Sequence, residues 1–411
     1  MLAGAAHLSR AAPWPGRPIK LLLALAITAA GLAGRSALDK LLALRGGAEL
    51  VAVWAQLASV IEILGGIAAA GVATGLAVYV ARTRIGERQQ DFLREGLRVG
   101  ILTTLVVAAL LALSAPWTAA LLSGGRIPAA LIALAAGAGW FSVIAVVVNG
   151  LWLGRQRRGR MLILAAVSAA LPLIAALLAP ADGVVLLVTL AHAVPGLALL
   201  LAIEPSRARP RFRSSSHPLR RYVLPGLVIG ILGPLSMLVA RATIGEGLSW
   251  HDVGVLQALW RVAEWVSTIA AGVLSIYFLP RFAARGDLMS ELLRAARWVL
   301  IPAAVVFAVL FIVQEPLLAA LYDDSFRAPP AAVALLFAGS LIRIASWIPL
   351  FALYARRRTR AIALGEFFSL PLFALLVVLA APQLSLTLTA LLWLASFVAY
   401  LGFNLWAARG S

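Results

Sequence analysis

The chain has no cysteine, which excludes disulfides and thiol chemistry. Charge is scarce too: only 13% of its 411 residues are Asp, Glu, Lys or Arg, where a soluble domain carries roughly a quarter. Acidic residues are the rarer sign, 17 against 35 Lys and Arg. There is no Walker-type phosphate loop, no zinc-ligand spacing and no Ser/His/Asp arrangement, so neither ATP, a metal nor another cofactor is implied. Substantial outer loops are missing as well, none exceeding roughly a dozen residues. Membrane glycosyltransferases, polymerases and ligases need such loops for their catalytic groups, so no enzyme is expected.

What the chain has is apolar sequence. Hydrophobic residues make up 62% of it, more than one soluble core can hide, and they come in runs of about 20, the length that crosses a hydrocarbon layer as helix. The expected class is an all-α polytopic membrane protein. Twelve helices are predicted, near 19–43, 50–81, 95–121, 128–153, 159–179, 183–204, 221–244, 250–280, 294–320, 329–355, 359–381 and 385–407. The net charge of +18 suits Arg-rich cytoplasmic loops and needs no nucleic-acid partner. "ARTRIGERQQDFLREGLR", "GRQRRGR", "EPSRARPRFRSSSHPLRR", "RFAARGDLMSELLRAAR" and "ARRRTR" fall on one side, together with both termini. The alternate loops are poor in basic residues. Both termini are therefore expected in the cytoplasm. The basic N-terminus before an apolar run also fits a signal peptide, but that run is long, carries charges and leads into further spans.

The longest loop divides the chain into an N-terminal lobe (1–204), a linker (205–220) and a C-terminal lobe (221–411), six helices each side. "VIEILGGIAAAGV" in the second helix can be laid on "VAEWVSTIAAGV" in the eighth, with Glu62 opposite Glu264. Two related lobes facing one another is a common transporter plan.

The intramembrane charges are ordered. Gln257, Arg261, Glu264, Thr268 and Gly272 share one face of the eighth helix. Gln56, Ser59, Glu62 and Gly66 form a similar stripe on the second, and Thr28, Gly31, Arg35 and Asp39 on the first, with Lys40 beside them. Arg241 near the end of the seventh helix joins the set. A charge at mid-membrane costs about 2.5–3.5 kcal/mol on the insertion scale, so the stripes are expected to face one another across a wet central cavity. Arg261 and Glu264, one turn apart, also fit a simple structural ion pair. Glu62 and Glu366 have no such local partner, and isolated intramembrane acids mark ion, proton or substrate paths.

Several features read as structural. "SWHD" at Ser249 fits a capping box at the start of the eighth helix. His192 reads as a packed, lobe-internal histidine. Trp14, Trp117, Trp347 and Trp393 read as membrane-interface anchors, and Trp54, Trp140, Trp260 and Trp265 as packing residues. Pro172, Pro195, Pro234 and Pro349 are expected to kink their helices.

Four stretches carry a family resemblance: "LLALRGGAELVAVWAQLASVIEILGGIAAAGVATGLAVYVAR", "LSWHDVGVLQALWRVAEWVSTIAAGVLSIYFLPRF", "LYDDSF" and "LIRIASWIPLFALYARRRTRAIALGEFFS". They resemble Wzx-type lipid-linked oligosaccharide flippases, which include the O-antigen and enterobacterial common antigen translocases of the multidrug/oligosaccharidyl-lipid/polysaccharide exporter superfamily. The resemblance implies twelve helices in two six-helix lobes around a central charged cavity. It also implies transfer of undecaprenyl-pyrophosphate-linked glycan across the bacterial inner membrane, with a polymerase and a chain-length regulator as partners. Lys40, Arg241, Glu264, Arg343 and Glu366 fall where the family places charge of the same sign; Arg35, Asp39, Glu62 and Arg261 rest on the stripes alone.

In this expectation Arg35, Lys40, Arg241, Arg261 and Arg343 bind the anionic head, guanidinium forks matching phosphate oxygens. Asp39, Glu62, Glu264 and Glu366 serve as coupling or counter-ion groups, with proton or sodium coupling. The alternatives are a cation-coupled drug exporter of the same superfamily, which would want an acid-dominated aromatic cavity, and a non-transporting membrane scaffold.

Overall fold

A computed structural model describes residues 18–73, 75–77, 80, 87–155, 157–202, 223–283, 288–356 and 358–409. The expected linker, 205–220, and Trp14 lie outside them. The Ala- and Leu-rich runs form helices because these residues have high helix propensity and because a backbone in lipid must satisfy its own hydrogen bonds.

The first two membrane helices are arms of one long element, Pro18–Ile67, divided at Gly46 and Gly47 into α1 (18–45) and α2 (48–67). Gly47 has φ 64° and ψ −161°, open to glycine and strained for other residues. α2 continues into a π-helical turn, Ala68–Ala73. α3 is Glu87–Leu113, prolonged past Ser114 by Ala115–Ser123. α4 is Ala129–Gly154, α5 Arg158–Leu178 and α6 Val184–Ala202. In the second half, α7 is Val223–Gly247, and α8 is Trp250–Val273 followed by a π-helical turn, Leu274–Phe278. α9 is Leu288–Ile312 and α10 Pro330–Ala355. α11 comprises Thr359–Glu366 and Leu370–Leu379, and α12 is Leu386–Arg409.

Ten stretches of the described residues are long and apolar enough to cross a membrane. The first, Ile27–Ile67, holds 41 residues and turns at Gly46–Gly47, so it crosses twice. With the 25-residue α7 the crossings number twelve among the described residues. Large apolar side chains such as Leu113, Leu178, Ile312 and Leu379 point outward, the face lipid requires.

α3, α4, α5 and α6 pack around α1 and α2, and α9 to α12 around α7 and α8, with α10 against α12 the most extensive pairing. The halves meet through α1 and α2 against α7 and α8. At one such contact Gly66 of α2 and Gly230 of α7 lie backbone to backbone, so that a methyl group on either would collide with the other helix.

The repeat has a structural counterpart. Each matched helix, α2 and α8, passes into a π-helical turn beyond its glutamate. The expected cap at Ser249 is present in its N-cap half: Asp252 N donates to Ser249 Oγ at 3.0 Å, and Ser249 Oγ donates to Asp252 Oδ2 at 2.6 Å. Pro172, Pro234 and Pro349 sit inside continuous helices, whereas α6 breaks between Ala191 and Val194, just before Pro195. A proline has no N–H to offer the carbonyl four residues earlier, which here is that of Ala191.

Trp393 corrects an expectation. It is not at the membrane interface but buried, within 5.4 Å of the Trp260 ring, 5.1 Å of Phe373 and 4.7 Å of Phe397. Its Nε1 donates to Ser340 Oγ at 3.3 Å. An aromatic on a uniformly apolar helix can face lipid or core, and only the packing of α8, α11 and α12 chooses. Trp117, by contrast, is exposed, as an interface anchor requires.

Candidate functional site

The stripes of α1, α2 and α8 converge. The cap at Ser249 fixes the start of α8, and three turns on, its polar face meets α1. Arg261 Nε donates to Asp39 Oδ2 at 2.7 Å, and its Nη1 donates to Glu264 Oε2 at 2.6 Å. One turn further along α1, Arg35 Nη1 lies 3.4 Å from Glu62 Oε1 and 3.6 Å from Glu264 Oε1. Beside these pairs Trp265 Nε1 donates to Ser36 Oγ at 2.9 Å, a second tie between α1 and α8.

The cluster is graded by depth. Side-chain exposure is 2% for Asp39 and 11% for Arg261, 36% for Glu264, and 48% and 51% for Glu62 and Arg35. The deep pair is two charges held by direct hydrogen bonds out of water, and removing one partner of such a pair costs about 3–5 kcal/mol. The outer contacts are longer and half-exposed, where ion pairs contribute about 0–1 kcal/mol. Asp39 and Arg261 therefore serve chiefly to join α1 to α8, and Arg35 and Glu62 are the charges free to exchange partners. Arg35, Asp39, Glu62 and Arg261 line a cavity of about 140 Å³ with Trp54 and His192. Pockets for drug-sized ligands hold about 300–1,000 Å³, so this cavity is smaller than such a ligand needs.

The remaining predicted residues lie around this centre. Arg241 reaches from α7 across to α2, its Nη1 donating to the Ala55 carbonyl at 2.9 Å and to Ser59 Oγ at 2.8 Å. Gln56 adds to the same seam, its Nε2 donating to the carbonyls of Leu122 at 2.9 Å and Leu238 at 3.2 Å. Arg241 is buried and forms no ion pair among the described residues. In this conformation it bolts the two halves together rather than lining the cavity. Lys40 donates to the Ala320 carbonyl, capping a short helix of the C-terminal half.

Arg343 sits over aromatic faces, 5.0 Å from the Trp347 ring, 5.6 Å from Phe397 and 5.9 Å from Trp393. Glu366 forms a separate group: Tyr400 Oη donates to its Oε1 at 2.9 Å, and Ser369 Oγ bonds the Glu366 main-chain carbonyl at 2.6 Å. Five of the nine predicted residues thus meet at one place, and Arg241, Lys40, Arg343 and Glu366 do not.

His192 has a second role that the sequence reading of a packed, lobe-internal histidine missed. Its ring is packed, 5.0 Å from Trp54 at 42°, yet it also lines the charged cavity and a second one beside it. The helix break ahead of Pro195 is the sequence signal that marks its position.

No protein-family model matches the sequence. The lipid III flippases of Escherichia coli K12 and Shigella flexneri are each 22% identical to the chain over 399 residues, covering 90% of it and 94% of the relative. Among solved structures, the lipid II flippase MurJ in an inward closed conformation superposes with a TM-score of 0.70 at 13% identity, covering 95% of this chain and 87% of that one. An inward-facing multidrug resistance MATE transporter of the MOP superfamily gives 0.66 at 15% identity, covering 93% and 94%. The chain therefore has the fold that the multidrug transporter and the lipid II flippase share.

Proposed function

We propose that this chain flips an undecaprenyl-pyrophosphate-linked oligosaccharide from the cytoplasmic to the periplasmic leaflet of the bacterial inner membrane, by alternating access, for assembly of cell-surface polysaccharide. The carrying observation is the half-exposed Arg35, supplied by one lobe and held between a carboxylate of each lobe in the wall of the charged cavity. An anion that displaced Glu62 and Glu264 from this guanidinium would loosen a link between the lobes as it bound. A pyrophosphate offers the oxygens a guanidinium fork matches. Its polyprenyl tail can stay in lipid while the head and sugars use the space between the lobes. The lipid III flippase relatives and the MurJ fold support the same substrate class.

The displaced charges give a route to coupling, by a proton or a sodium ion taken up while phosphate holds the arginine. The Arg-rich loops support cytoplasmic termini, and a polymerase and chain-length regulator would receive the product on the far side. The test is complementation: cells lacking the gene should accumulate unexported lipid-linked glycan, and the wild-type gene should clear it. Accumulation unaffected by the gene would refute the reading.

A further inference from the structure

We propose that His192 is a proton-binding site that sets the charge of the central cavity, and that its protonated ring is the added cation through which the cavity accepts a pyrophosphate. This rests on the anion-flipping reading above.

The tautomer follows from geometry. His192 Nδ1 lies 2.8 Å from the Val188 carbonyl, one turn back on α6. A carbonyl only accepts, so Nδ1 carries the hydrogen and Nε2 in the neutral ring is a bare acceptor. Protonation turns Nε2 into a donor and adds a full charge, without disturbing the bond that orients the ring.

The location is also particular. α6 is broken between Ala191 and Val194, at membrane depth. Irregular backbone survives at that depth where it is buried in protein or lines a wet cavity. His192 lines two: the charged cavity of about 140 Å³ and a neighbouring one of about 260 Å³ between α1, α5 and α6. Arg35 is the other polar side chain common to both. The histidine and the exchangeable arginine thus line both cavities.

The charge count shows the need. Two guanidinium groups, Arg35 and Arg261, stand against three carboxylates, Asp39, Glu62 and Glu264. Adding Arg241 behind α2 makes three against three. Neither count leaves positive charge for a multiply anionic head, and Arg35 and Arg261 already face acids. The charged groups facing His192 are Arg35 and Asp39 from α1, Glu62 from α2 and Arg261 from α8. α5 presents Ala165, Ser168, Ala169 and Pro172, none of which titrates. α4 offers the Phe141 backbone beside Gly196. An incoming phosphate would draw Arg35 from Glu62, and the imidazolium would stand where that lost compensation falls.

The experiment uses the full chain in nanodiscs with undecaprenyl pyrophosphate as the probe. Affinity is measured from about pH 5.5 to 8, with proton uptake followed by an indicator in weak buffer. The wild type should bind more tightly as pH falls, by about tenfold per unit where one linked proton is taken up. His192→Asn keeps a donor near the Nδ1 position and His192→Gln one near Nε2; both should flatten the profile and abolish the uptake. Glu62→Gln should retain both. Wild-type binding with no proton uptake overturns the proposal while leaving the flippase reading intact, and this arm needs no variant to fold. Histidine variants that keep the wild-type slope while Glu62→Gln loses it overturn it too, placing the proton on Glu62. Wild-type protein that binds no undecaprenyl pyrophosphate at any pH refutes both readings together.

Discussion

Glu62 and Glu264, one from each half of the chain and opposite one another in its internal repeat, reach the same nitrogen of Arg35, at 3.4 and 3.6 Å. The repeat thus brings two equivalent acids to one cation on the seam between the lobes. Because Arg35 is half-exposed, Arg35→Ala should leave folded yield, read by size exclusion of detergent extracts, within normal scatter. Flipping, read as unexported lipid-linked glycan in intact cells, should fall by about ten- to a hundredfold, the loss of one or two charge-assisted hydrogen bonds. Full activity in this variant would remove Arg35 from the transport path.

The deep pair should behave differently. Arg261→Ala leaves the almost fully buried Asp39 without its partner, and should lower stability by about 3–5 kcal/mol and folded yield with it. Exchanging Arg261 and Glu264 does not restore the arrangement, because Asp39 would then face a glutamate. Asp39→Asn together with Arg261→Gln removes both charges and should recover yield without recovering transport. Thermal unfolding in detergent separates these cases, and a stable, active Arg261→Ala protein would contradict them.

Arg241 predicts a conformational phenotype. Its bonds to Ala55 and Ser59 tie α7 to α2, so Ser59→Ala should weaken the closed seam by about 1 kcal/mol, the net worth of one hydrogen bond. Gly230→Leu, which places a branched side chain against the Gly66 backbone, should hold the lobes apart far more strongly. With no native cysteine, Ser59→Cys can report the opening in Gly230→Leu as faster labelling by a water-soluble maleimide. Unchanged labelling in Gly230→Leu would show that α2 and α7 do not separate there.

The topology can be checked directly. Reporter fusions after Gly124, Asp182, Asp324 and Gln383 should read as periplasmic, and fusions at Arg158 and Arg358 as cytoplasmic. A single reversal would break the twelve-crossing arrangement.

Helix number, helix order and the polar faces were legible in the sequence because each is local. A 20-residue apolar run states its own length, and residues at i, i+4 and i+7 share a face whatever surrounds them. Ser249–Asp252 was legible for the same reason, since a cap is closed within four residues. The convergence of Arg35, Asp39, Glu62, Arg261 and Glu264 was foreshadowed by the matching stripes, but their partners were not. That Arg261 bonds Asp39 as well as Glu264, that Arg241 takes a backbone carbonyl instead of an acid, and that Lys40, Arg343 and Glu366 find other neighbours all depend on how α1, α7, α8, α10 and α12 are turned and spaced. Trp393 and His192 show the limit most plainly. On a helix apolar all round, periodicity assigns no side to a residue, and only the packing of the helices gave Trp393 to the core and His192 to the cavity.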